Sequence, residues 1–242
     1  LDAVDAALAG ALDTENEDAL ASDDRLAEEL AVLGTMGRFD YARTAAVLTA
    51  VLDPGIAALR ALRDRTAPRP PPAQHAALAR LCGHLAWCVH IAAVLVRGRM
   101  ATASSDAADA IDGELAARVF TLFQTTDALL SELAEEASSG GAGGTGGTGT
   151  TGAQQREEAQ ALLRLWLEKD SYESYLELAY IAFCQAFRHM YICDASVSCS
   201  RAFGRLGELT GIGSHTAALT VIVGKVTTNL KLWRGNQAVV TK

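Results

Sequence analysis

Apolar residues return every third or fourth position along most of the sequence, the period of a helix with one buried face. Ser22-Asp23-Asp24 precedes Leu26, Leu30 and Leu33, which predicts a capped helix ending near Gly34 and Gly37. A second helix is expected from about Asp40, with Ala46, Val47, Leu48 and Val51 inward, and it should stop at Asp53-Pro54. The chain resumes with Ile56, Leu59 and Leu62 facing in and Arg60, Arg63 and Arg65 facing out. Four prolines in residues 66–74 mark a loop with polyproline-like character. Leu78, Leu81, Cys82, Leu85, Val89, Ala93 and Val96 then follow helical spacing. After a polar stretch at 102–113, Leu115, Val119, Leu122, Phe123, Leu129, Leu130 and Leu133 mark another helix.

Residues 138–153 alternate Gly with Thr and hold no large apolar side chain, so they read as a flexible insert that cannot bury surface. Helices are expected again at 155–169 and 173–191, the latter with Leu176, Tyr180, Phe183, Phe187 and Met190 on one face. Residues 197–210 form a weaker helix closed by Gly211 and Gly213. Ser214 should cap the last one, with Leu219, Ile222, Val223, Val226, Leu230 and Trp233 as its apolar face. About eight helices with short connections predict an all-α fold of antiparallel neighbours, and helix pairs of this length are the unit of HEAT or armadillo arrays.

Composition sharpens the picture. Alanine supplies 46 of the 242 residues and aromatics only 6%, which favours closely packed helices and weighs against an all-β fold. The net charge of −8 argues against direct binding of nucleic acid or an anionic membrane. The most apolar run, residues 81–96, carries His84 and His90 between Arg80 and Arg97. It is shorter than the roughly 20 residues of a membrane span, so a buried helix is expected and no membrane insertion. Cysteines at 82, 88, 184, 193 and 199 are odd in number and sit mostly within apolar patterns, which points to free thiols in a reducing compartment. A start at Leu1 without Met, and without the pattern of a signal peptide, suggests a piece of something longer.

Candidate chemistry is sparse. The Gly-rich tract lacks the Gly-Lys-Ser/Thr entry to a helix that a phosphate loop requires. Cys82, His84, Cys88 and His90 invite a metal reading, but their spacing does not converge on one tetrahedral centre, and core packing explains them better. The Tyr172, Tyr175, Tyr180 and Tyr191 set reads as a helix interface. Ser200, Ser214 and His215 lack an elbow or an acid partner for acyl transfer. No enzyme and no cofactor is expected. Asp106, Asp109, Asp112 and Glu114 form an acidic comb that fails the alternation of a calcium loop. It reads as a loop entering a helix, with carboxylates complementing the dipole, and secondarily as a partner-contact surface.

Six stretches in one order carry more than periodicity. They are Leu33-Gly-Thr-Met-Gly37-Arg38-Phe-Asp-Tyr41, the segment from Thr102 through Asp109-Ala-Ile-Asp-Gly-Glu-Leu115, and the helix after it with Arg118-Val119 and Thr126-Asp127. Phe187-Arg188-His-Met190-Tyr191-Ile192, Leu206-Gly-Glu-Leu209 and Val223-Gly-Lys-Val-Thr-Thr-Asn-Leu-Lys-Leu-Trp233 complete the set. Together they resemble the exportin-7 family, which includes Ran-binding proteins 16 and 17. The tract at 138–153 and the Pro-rich loop at 66–74 depart from that pattern. The resemblance implies an interior segment of an α-solenoid of HEAT-like antiparallel helix pairs, of the importin-β superfamily. It further implies a receptor that binds Ran-GTP, protein cargo and nucleoporins and shuttles between nucleus and cytoplasm. A helical-repeat scaffold without a transport role would share the same helix pattern.

Overall fold

A computed structural model of the chain describes residues 20, 22–64, 75–99, 105–138, 150–193 and 200–242. The expectations for residues 66–74, most of 138–153 and Cys199 lie outside the described residues. Helices α1 (Asp23–Gly37), α2 (Tyr41–Arg63), α3 (His75–Arg97) and α4 (Asp106–Ser138) come first. They are followed by α5 (Thr150–Leu167), α6 (Tyr172–Phe187), α7 (Arg201–Thr210), α8 (His215–Leu232) and α9 (Gln237–Thr241). Among the described residues there is no strand. Ser138 closes α4 and residues 150–153 form the first turn of α5, so both ends of the Gly/Thr tract merge into helix.

Stacking defines the architecture. The most extensive contact joins α3 to α6, and α1 also packs on α3. On the other side α2 packs on α4 and α4 on α7. Helices therefore stack on the corresponding helix of the next pair, in two layers, which is how repeated helix pairs bury a continuous core. The fold is an all-α array of helix pairs. Its centre is a run of aromatic contacts through Phe120, Phe123, Tyr180, Phe183, Phe187, Tyr191 and Phe203, with neighbouring centroids 5.1 to 6.2 Å apart. Cys82, Cys88 and Cys184 are buried free thiols and Cys193 is exposed.

Several local expectations change. Proline does not end α2, which runs unbroken through Pro54. Pro54 has no N–H for the Ala50 carbonyl, but Leu48, Leu52, Ile56, Leu59 and Leu62 make one buried stripe across it, and that packing outweighs the local loss. The inward face is displaced by one residue from the expected one. Ala45 and Leu48 are buried, whereas Ala46, Val47 and Val51 are exposed. On α1, Leu26 and Leu30 are buried while Leu33 is exposed, and Ser22 makes no side-chain capping bond. Ser214 does cap α8, accepting from Ala217 N at 3.2 Å.

Helix α3 is longer than the apolar run suggested. By length and composition α2 and α3 could each cross a membrane, but α3 sends its apolar residues into the interior against α1, α2 and α6. At the end of α6 the helix widens into a π turn, Arg188–Ile192, closed by Cys193 N donating to Arg188 O at 2.9 Å. The wider turn carries Tyr191 into the core on the line of Phe183 and Phe187, and leaves the expected Met190 only half-buried.

One contact fixes how closely the second layer packs. A Cβ added at Gly113 of α4 would lie 2.5 Å from the Ala202 carbonyl oxygen and 3.1 Å from Ala202 Cα on α7. Both are backbone atoms, so neither can swing aside. Gly113→Ala should therefore destabilise the fold by about 1–3 kcal/mol through overpacking, read as a lower Tm. Gly224→Ala, where a Cβ meets nothing within 4 Å, should leave Tm unchanged or raise it.

Candidate functional site

Two buried ionic clusters hold the layers together. The first centres on Asp112 of α4, which is fully buried. Arg38, just after α1, donates from Nη2 to Asp112 Oδ1 and Oδ2 at 3.2 and 3.1 Å, and from Nε to the Leu95 carbonyl of α3 at 2.7 Å. Tyr41 of α2 donates its hydroxyl to Asp112 Oδ1, and Tyr191 of the π turn donates to Oδ2 at 2.5 Å. One turn earlier, Asp109 accepts from Arg99 Nε at 2.9 Å and from Ser200 Oγ at 2.8 Å. Ser200 also caps α7, accepting from Ala202 N at 3.1 Å. Six segments thus meet at two neighbouring carboxylates. Burial pushes the Asp112 carboxyl up to about 6, against the Tyr191 and Tyr41 hydrogen bonds and the Arg38 charge that pull it down.

The second cluster inverts the charge. Lys225 of α8 is buried, with Nζ 2.6 Å from Asp127 Oδ1 of α4 and 2.7 Å from the Glu177 carboxylate of α6. Its ammonium also lies 5.2 Å from the Tyr180 ring centroid and 5.8 Å from that of Phe123, within cation–π range. Burial alone would push the Lys225 ammonium down. The charges of Glu177 and Asp127 outweigh it and hold the ammonium above its usual range. Two carboxylates share one cation, so burial, reinforced by Glu177, pushes Asp127 up to about 6 despite Lys225.

The acidic comb is not a projecting loop. Asp106 opens α4 and is exposed, but Asp109 and Asp112 face the interior. Glu114 accepts from Arg205 Nε of α7 at 2.9 Å and so ties the second layer together. In the sequence the comb reads as a solvated helix start because most of its partners are distant, 71 to 79 residues away for Asp112 and 91 from Asp109 to Ser200, with only Arg99 near, 10 residues before Asp109. The Cys82 to His90 set does not converge: Cys82, Cys88 and His90 are buried and His84 points to solvent. Among the described residues no group of three His, Cys, Asp or Glu could hold a metal. Tyr180 and Tyr191 are interior and Tyr172 packs on Gly83, where a Cβ would come within 2.8 Å of the ring.

Spacing alone did not reveal the Lys225 cluster, because a lysine between Val223 and Val226 reads as the solvated edge of an apolar stripe. Of the expected face only Trp233 is buried, and Ile222 is half-buried. Leu219, Val223, Val226 and Leu230 are exposed, and Lys225 and Asn229 face in. Removing one partner of a buried cluster leaves uncompensated charge, so Lys225→Met should cost about 3–5 kcal/mol at neutral pH. Asp127 has a raised folded-state value, so the fold binds its proton at higher pH than the unfolded chain does. Lys225 pulls the Asp127 carboxyl down, so without it the carboxyl takes its proton above the value near 6 of the intact cluster, and the variant's deficit should shrink as pH falls from 7 toward 6 and keep its smaller value below that. Denaturant melts at pH 7 and pH 5 check this.

Most of the residues that build these clusters, though not Arg99, Glu177 or Ser200, fall within the stretches that resemble the exportin-7 family, and comparison with known proteins agrees. The family model described as "Exportin-7-like, TPR domain" matches residues 7–242. Similar curated proteins include Exportin-7-B of Xenopus laevis, 28% identical over 226 residues, 93% of this chain and 17% of that protein. Exportin-7 of Dictyostelium discoideum is 28% identical over 228 residues, 94% of this chain and 19% of its own length. Ran-binding protein 17 of Mus musculus is 26% identical over 226 residues, 93% and 17% respectively. The chain spans less than a fifth of each of these relatives. No solved structure matches it. With a family model covering nearly all of its residues, and with five of the six resembling stretches contributing to its two interior clusters, the chain belongs to the exportin-7-like family.

Proposed function

We propose that the chain is an interior helical segment of a nuclear transport receptor. Such a receptor carries protein cargo through the pore under control of Ran-GTP, meets nucleoporins and shuttles between nucleus and cytoplasm. The observation that carries this reading is the family match over residues 7–242, realised as stacked helix pairs. Neither direct nucleic-acid binding nor catalysis is part of it. Buried ionisable groups here hold helices to one another, and the outer faces are left for partners. A stacked array spreads each interface over several repeats, and linked contacts reinforce one another through effective concentration.

A receptor containing this segment should be recovered far better on Ran held in the GTP state than on Ran in the GDP state. The 242-residue chain alone should bind either form weakly. Equal recovery of the receptor on both forms would leave a helical scaffold without a transport role. Within the acidic comb, partner contact is proposed only for its exposed end. Asp106→Lys should leave Tm unchanged while weakening a cargo or Ran complex. Asp112→Lys, which sets a cation against Arg38 in a buried site, should prevent folding, as circular dichroism would show.

A further inference from the structure

Small side chains open a recess of about 610 Å³ within the first layer, where α1 and α6 both pack on α3. Ala93 and Val94 of α3 form its floor, Ala27 and Ala31 of α1 one wall, and Ala182 and Ala186 of α6 the other. The recess lies between stacked helices and not at an end of the array. A pair added before α1 or after α6 would pack on the far side of a wall and leave the space between the walls open. Helices α3 and α6 run in the same direction, since Gly83 meets Tyr172 near their starts and the recess joins 93–97 to 185–189 at their ends. Its charge is confined to that end. Arg97, in the last turn of α3, and Arg188 of the π turn are exposed, and neither has an ion-pair partner among the described residues. His189 stands beside them, and among the described residues no Asp or Glu lines the recess. Asp24 and Glu28 of α1 lie outside the lining, and Glu29 is taken by Arg25. His90 in the floor is already engaged within the protein and is not counted.

We propose that this recess receives a short amphipathic helix of a partner protein, with acidic residues in its first turn and apolar residues after them. The order follows from the geometry. Run antiparallel to α3 and α6, such a helix sets its electropositive N-terminus at their C-terminal ends and its acids against Arg97 and Arg188. The lined part of α3, from His90 to Arg97, is about 10 Å long at about 1.5 Å per residue, room for two turns of the occupant. Alanine walls let a helix approach closely, and its larger apolar side chains supply the volume that alanine leaves empty. Two cations are too few for nucleic acid, whose binding draws on many phosphate contacts, and the net charge of −8 opposes it. A lipid surface is flat on this scale and does not enter between the walls. The inference rests on the recess itself and not on Ran or transport.

The test uses the full 242-residue chain and a labelled helical peptide of about 14 residues, with glutamate in its first turn and leucine at i, i+3, i+4 and i+7 after it. A matched peptide carries lysine in place of glutamate. By fluorescence anisotropy at low salt the glutamate peptide should bind at least about ten-fold more tightly than the lysine peptide. Arg97→Glu with Arg188→Glu, both at exposed positions, should reverse that preference. Ala31→Trp, also exposed, should fill the recess and weaken the glutamate peptide at least about ten-fold with the circular dichroism spectrum unchanged. Ala27→Trp, on the same wall, keeps the inference testable if the first variant disturbs α1. A photo-crosslinker on the first residue of the peptide should label 185–189 and spare 26–27. Equal affinity for the two peptides would overturn the inference, as would binding that survives both tryptophan variants or a crosslink at 26–27 alone. So would capture of phosphatidylserine vesicles in place of the peptide, or self-association of the chain that Ala31→Trp abolishes. No binding at all would also overturn it, and would leave the recess to residues 2–18 of the chain itself, which hold six acids and no Lys or Arg.

Discussion

A carboxylate with no access to water must be given partners or it will not stay ionised inside a protein, and Asp112 is such a carboxylate. Its partners come from the turn after α1, the start of α2 and the π turn after α6, while its neighbour Asp109 reaches the end of α3 and the cap of α7. Each contact demands that its element arrive at one point with one orientation. Hydrophobic stacking sets which helices touch, but it tolerates sliding. The hydrogen bonds on Asp112 do not, so they fix the register in which the two layers meet. The π turn follows from the same demand, since a normal turn would leave Tyr191 off the line of Phe183 and Phe187 that leads to Asp112.

Helix α4 carries this logic along its length. Asp112 near its start and Asp127 further on are separated by about 22 Å of helix, at about 1.5 Å per residue. One gathers donors from the first pair and the π turn; the other holds the buried lysine of α8. Both carboxyls are pushed up to about 6 by burial. Both therefore become easier to accommodate as pH falls from there toward the ordinary carboxylate range, the opposite of a surface ion pair. The interior is built from costly groups that satisfy one another. Specificity of arrangement is what such groups supply, and a stack of alanine-rich helices that could otherwise slip has need of it.

Helical spacing gave the elements of this fold reliably, and the buried rows of α3 and α4 follow the pattern read from their residues. The faces of α2 and α8 did not. In both, apolar residues occupy more than one side, and periodicity says that a helix is amphipathic without saying which of two apolar rows meets the older part of the stack. In α8 the expected apolar face holds at Trp233 and half at Ile222, but Leu219, Val223, Val226 and Leu230 face out, because Lys225 enters the interior to meet counter-charges 48 and 98 positions away. The acidic comb does open a helix with Asp106 and Asp109 in its first turn, but its pattern does not show that Asp109 and Asp112 are buried. A local pattern cannot show a partner that is distant in sequence. The signal that did exist was of another kind: Arg38, Tyr41, Asp112, Asp127, Tyr191 and Lys225 all fall within the stretches that resemble the family.

That coincidence bears on what family membership means here. Those six residues lie in the two clusters, and what they supply there is a way of locking helix pairs in register. The outer rows, Val47 and Val51 on α2 and the ridge of Leu219, Val223, Val226 and Leu230 on α8, are exposed and take no part in either cluster, although the last three lie within a resembling stretch. Two proteins can keep both clusters intact and present different surfaces, since a change at an exposed ridge position disturbs neither Asp112 nor Lys225. A scaffold of this kind separates the residues that set its shape from those that choose its partners. Partner choice must therefore be sought in the charge and apolar pattern of the exposed faces, with the buried motifs read as the frame that presents them.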